Sequence, residues 1–161
     1  PTTPAPSAAE PASPSSGSSS AASPGAKARP AADPEAIAQD VSIMVGGMWV
    51  VDHIGPDRVA AGNARRDAYP ELYLAELRKQ FDVAVHHYHA DIHYPSLLGI
   101  LGCRLPDEAK RTAREWMPKI RAEADRARRA PRYDGEQRTM PEHVVVLQQI
   151  LDGKFVCRER G

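Results

Sequence analysis

The sequence predicts an all-α domain, a small bundle of about four main helices behind a disordered N-terminal tail rich in Pro, Ala and Ser. Three observations carry that prediction. Wherever apolar residues recur with a period, the steps are three and four, the mark of helices that bury one face. A proline followed by an acid opens run after run, at Pro34, Pro70 and Pro106. There the missing N–H costs nothing and the acid meets the positive end of the helix. No alternating partner strand is found, and no repeat with a period of about 20 to 50 residues is visible.

The chain divides unevenly. Residues 1–32 carry only Glu10, Lys27 and Arg29 as charges and no aliphatic side chain larger than Ala. Such a segment cannot bury enough apolar surface to offset its ordering entropy, so it reads as disordered, extended and linker-like. Residues 33–161 are long enough to fold around one core.

In chain order, Asp33 is an N-cap for a first helix with Pro34 at its first position, and Ile37, Val41, Met44, Val45 and Met48 follow at helical spacing up to Gly55-Pro56. Gly46-Gly47 is its weak point, at about 1 kcal/mol per glycine relative to alanine. Residues 57–69 lack a wide apolar stripe and read as a loop with one helical turn. The organising helix is Pro70 to His93, closed by Tyr94-Pro95. Leu74, Leu77, Phe81, Val85, Tyr88 and Ile92 fall on one narrow stripe at about 100° per residue. Residues 96–102, SLLGILG, are read as a buried single turn or connector. A third helix starts at Pro106, with Trp116 the large anchor of an alanine seam and Pro118 inside it. Thr139 and Glu142 have capping-box spacing before a final helix through Val144, Leu147, Ile150 and Leu151 to Gly153.

Net charge is zero, yet it is unevenly distributed. Residues 33–103 hold ten acids and five bases, net −5, and residues 104–132 hold ten bases and five acids, net +5. A basic third helix either complements the acidic ones, is simply solvated, or meets an acidic partner or a polyphosphate. Its exposed arginines, Arg111, Arg114 and Arg121, together with Trp116 as an anchor, are the partner-binding candidates. No aromatic residues interleave with them as in a single-strand binder, and the zero net charge argues against a dedicated nucleic-acid protein.

Cys103 and Cys157 sit at segment ends, and the expectation is that they form a disulfide, stabilising the domain by about 4 kcal/mol on the chain-entropy account. Such a bridge belongs to an oxidising compartment. With the Pro/Ala/Ser tail, it suggests an exported protein, periplasmic or on the cell surface, held off a membrane by a lipid-carrying N-terminal anchor. The competing reading is a cytoplasmic protein with an interdomain linker.

Only one array has ligand spacing: Asp82, His86, His89 and His93, three or four apart on a strip beside the apolar stripe of the organising helix. Imidazoles one turn apart can share a first-row metal ion, here Zn, Cu or Ni, with His53 or His143 completing the site from a neighbour. The helix lacks His-Glu-x-x-His, and no Gly-x-Ser-x-Gly, phosphate-cradling glycine loop or Cys-x-x-Cys occurs. No catalytic set is assigned.

The leading expectation is therefore a tethered helical binding or adaptor module that engages a protein partner. The alternative is a metal-binding protein, extending to a metal-dependent enzyme, that uses the histidine strip. Extended tether, compact helices and one bridge make a layout similar to that of small helical lipoproteins that act as pilots or immunity factors, a likeness of architecture and not of motif.

Overall fold

The computed structural model describes residues 29–89 and 92–157. The tail expected to be disordered therefore lies, up to residue 28, outside the described residues. The fold is all-α, with seven α-helices and one 3₁₀ turn and no strand among the described residues. The count exceeds the four expected because two segments read as loop or connector are helical and because long runs are broken.

Helix α1, Pro34–Val45, is capped by the Asp33 carboxylate, which accepts from the Glu35 N–H at 3.0 Å. It stops at Gly46-Gly47, where two poor helix formers meet, and the chain re-enters a helix only at α2, Val51–Ile54. Helix α3, Pro56–Ala68, occupies the stretch expected to be a loop. It has Pro56 in its first turn, Asp57 at its positive end and Arg65 and Arg66 at its negative end, and buries one residue, Gly62. Local end chemistry thus makes a helix that has no apolar stripe.

The organising helix is shorter than its periodicity suggests. Helix α4 runs Pro70–Ala84, a 3₁₀ turn covers Val85–His87, and the chain leaves helical geometry at Tyr88. The apolar spacing continues past Ala84 because Tyr88 is fully buried from the connector, with no helix beneath it. Tyr94-Pro95 opens the next helix instead of closing this one: α5, Tyr94–Gly102, places Pro95 in its first turn. This nine-residue helix is buried nearly all round, as an apolar helix must be, and packs against α1, α4, α6 and α7. The SLLGILG segment is therefore the centre of the core, a helix where one turn or a connector was expected.

Helix α6, Pro106–Arg129, has the predicted start and passes through Pro118, which is exposed. Its most extensive packing is against α7, Glu136–Leu151. Helix α7 starts before the expected capping box, with Gly135 as its N-cap, whose φ of 90° suits glycine, and the Thr139 hydroxyl donates to the Gly135 carbonyl. At the end of the chain, the ring of Phe155 lies against Gly99 of α5, so close that a β-carbon there would come within 2.2 Å of it. Two residues further on, Cys157 is bonded to Cys103, with 5.7 Å between α-carbons. The expected disulfide is present. It ties the last described residue to the end of the central helix.

Candidate functional site

Helix α6 sorts its charges by direction. Its apolar seam, with Ala109, Ala113, Trp116, Ile120, Ala124 and Ala127, faces the core. Toward α4, Glu115 accepts from Arg78 at 2.7 Å and Lys119 lies 3.6 Å from Asp82. Toward α7, Arg126 pairs with Glu136 and Glu123, and Arg132 reaches Glu123 at 3.3 Å. On the outward face, within about 80° at 100° per residue, Arg111, Arg114, Arg121 and Arg129 are exposed. None of the four makes an ion pair with a described residue, and Asp125, on the same face, is turned to Arg128. The result is a strip of guanidinium groups without ion pairs, about 27 Å long from Arg111 to Arg129 at 1.5 Å per residue, with exposed Asp107 one turn before it on the same face.

The arginine candidates therefore share one surface, but Trp116 does not join them. It is 2% exposed and stacks on Phe81, with ring centroids 4.0 Å apart at 24°. Trp116 is a core anchor, because the alanine seam on which it lies is the buried one, and it cannot meet a partner at the surface.

The histidine strip dissolves with the end of α4. Asp82 is the only one of the four on an α-helix, and its carboxylate faces Lys119. His86 sits exposed in the 3₁₀ turn, His89 is half-buried in the connector, and His93 is exposed before α5. The His93 amide donates to the Val45 carbonyl at 2.6 Å, and its ring lies 6.2 Å from that of His143. Among the described residues no three His, Cys, Asp or Glu side chains are close enough to share a metal ion. The one-turn spacing on which the metal reading rested is not realised, because the α-helix ends at Ala84 and does not carry the three histidines.

Two buried acids that sequence reasoning passed over organise the polar interior. Asp40 of α1, 1% exposed, receives the Tyr73 hydroxyl at 2.6 Å, the Arg65 guanidinium, and Arg58 at 3.4 Å, joining α1, α3 and α4. Burial first, then the hydrogen bond and charge of Asp40, holds the Tyr73 phenol far above its usual range. Beside this group the Trp49 ring packs on Gly62 while its indole N–H donates to Asn63 at 3.0 Å. The second acid, Glu136, is fully buried at the start of α7 and accepts from Arg126 and from the Arg132 amide at 2.6 Å. Burial alone would raise its pKa. The bonds from Arg126 and the Arg132 amide and the two positive charges outweigh that and leave it below the ordinary value.

Tyr88 links the connector to this region. Its hydroxyl lies 2.5 Å from His143 Nδ1 and 3.1 Å from the Ile92 carbonyl, and its own carbonyl accepts from Arg132. Burial, with a smaller effect of Tyr94, raises its pKa well above the usual value, so the phenol stays neutral and serves as a clamp. Both acids had a legible signal: on a helical wheel Asp40 falls beside Ile37, Val41 and Met44, and Glu136 falls on the face of Met140, His143, Leu147 and Ile150. A charge on an apolar face requires a buried partner.

No family model, curated protein or solved structure matches this chain. No helix among the described residues is long and apolar enough to cross a membrane.

Proposed function

We propose that this chain is an exported, membrane-tethered helical binding module that engages an acidic protein partner through the outward face of α6. The observation that carries the reading is the run of four exposed arginines without ion pairs on a helix whose other charges are mostly paired. Unpaired guanidinium groups along a helix steer and orient an acidic surface, since the helix that carries them is held by packing on its opposite face. The Cys103–Cys157 disulfide supports an oxidising compartment, and the Pro/Ala/Ser-rich leader supports a tether ahead of the folded unit.

A photo-crosslinking residue placed at position 114 or 121 in cells tests this. The expected result is covalent capture of the same acidic protein from both positions and not from position 71 on α4. Exchanging Arg111 and Arg121 for Glu together should abolish capture from position 114. Equal capture from all three positions, or capture indifferent to the charge reversal, would overturn the reading.

A further inference from the structure

We propose that the cleft between α1 and α3, with Asp40 at its base and Arg58 and Arg65 along its side, binds a small oxyanion: a carboxylate or a phosphate group. The site is formed by elements other than α6 and does not rest on the function proposed above. The cleft encloses about 130 Å³ and is lined by Gln39, Asp40, Arg58 and Arg65, with Ala36 and Ala61 between them. At about 30 Å³ per water molecule that is space for about four waters, enough for an ion of four or five heavy atoms and too little for a nucleotide.

Charge, unused donors and position point to the same ligand. Two guanidinium groups converge on one carboxylate, and Tyr73, the other group on Asp40, is neutral, so the cleft keeps one positive charge. Asp40 is already taken on one oxygen by Arg65 and the Tyr73 hydroxyl. Arg58, by contrast, touches Asp40 only at 3.4 Å and its side chain is 42% exposed, so most of its five N–H donors are unspent at the mouth. Arg65 Nε is buried and has no hydrogen-bond partner. That N–H is closed off from the cleft itself, so an anion seated there acts on the Arg65 guanidinium through its charge. Gln39, exposed at the rim, adds a neutral amide donor.

The test is a titration of the oxidised full-length chain, ¹⁵N-labelled, with sodium phosphate and separately with sodium acetate, against sodium chloride at matched ionic strength. The expected result is saturable movement of the Arg65 Nε–H resonance and of the backbone amides of Gln39, Ala61 and Gly62, absent with chloride. Saturation by phosphate alone assigns a phosphate group, and saturation by acetate alone or by both assigns a carboxylate-sized oxyanion; each supports the site. Arg58→Gln, at an exposed side chain, should leave the rest of the spectrum in place and weaken binding by about tenfold or more, the loss of one charge-assisted hydrogen bond. Gln39→Ala, at the rim, should weaken it less while keeping saturation. Linear shifts that never saturate, shifts that chloride reproduces, or shifts unchanged in Arg58→Gln would overturn the proposal.

Discussion

Glu136 shows how much a single side chain can organise when burial and charge act against each other. Its carboxylate lies at the start of α7 but is held from the other side, by Arg126 of α6 and the amide of Arg132. Removing its charge leaves Arg126, which is one-quarter exposed, with Glu123 as its remaining acidic partner. The expected cost of Glu136→Gln at neutral pH is about 2 kcal/mol, below the value for a fully buried broken pair because water reaches Arg126. Since the folded pKa lies below the ordinary 4.5, the stabilisation from this residue is fully present above that value. It is lost as pH falls through the folded value. Denaturant midpoints measured from pH 7 down to about 3 should therefore fall less steeply in the variant than in the wild type, the two curves converging in acid. Parallel curves would show that Glu136 is not held as an ion. Neither this acid nor Asp40 was read from the sequence, because a polar residue on an apolar face looks like an interruption of the stripe. What decides is the partner, and Arg65 and Arg126 lie 25 and 10 residues away in sequence.

At the scale of the helix, end chemistry was easier to read than extent. The starts of α1 at Pro34, α4 at Pro70 and α6 at Pro106 were legible from proline, acid and cap, all local causes. The end of α4 was not, because periodicity reports which residues are buried and not what backbone carries them; Tyr88 is buried from a connector. Helix α3 was missed for a related reason: its contact with the core is a backbone surface. A β-carbon on Gly62 would lie 2.3 Å from the Trp49 ring and 3.2 Å from Asp40 Oδ2. This gives a prediction in which two effects have opposite sign. Helix propensity alone would make Gly62→Ala stabilising by about 1 kcal/mol. Displacing the Trp49 ring from a packed site costs about 1–3 kcal/mol, so the net expectation is destabilisation, with a change in tryptophan fluorescence. A more stable variant with unchanged fluorescence would show that Trp49 does not sit on α3.

For the molecule as a whole, the disulfide was legible from two cysteines at segment ends, and what it secures was not. It closes a sequence separation of 54 and holds Phe155 on the central helix, where Gly99 leaves room for the ring. Reduction should lower unfolding free energy by about 4 kcal/mol by the chain-entropy account, read as a shift in denaturant midpoint with and without reductant. A shift near zero would mean that α5 to α7 hold the terminus without it. The N-terminal end of the described residues is secured differently. Arg29 lies over the Tyr69 ring at 4.2 Å and donates to the Ala68 carbonyl at 2.7 Å, while the Tyr69 hydroxyl donates to the Pro30 carbonyl at 2.8 Å. The leader thus joins the domain at the corner between α3 and α4 before it reaches α1. Tension along a tether would be borne first by that corner, through three non-covalent contacts to two adjacent residues. Under load the chain would peel from Tyr69 toward Asp33 before any force reached the apolar face of α1, giving a compliant first extension of a few residues in series with a stiff core. If the leader is the tether proposed above, this corner would give way first, as a mechanical fuse, and its breaking would leave α6 in place.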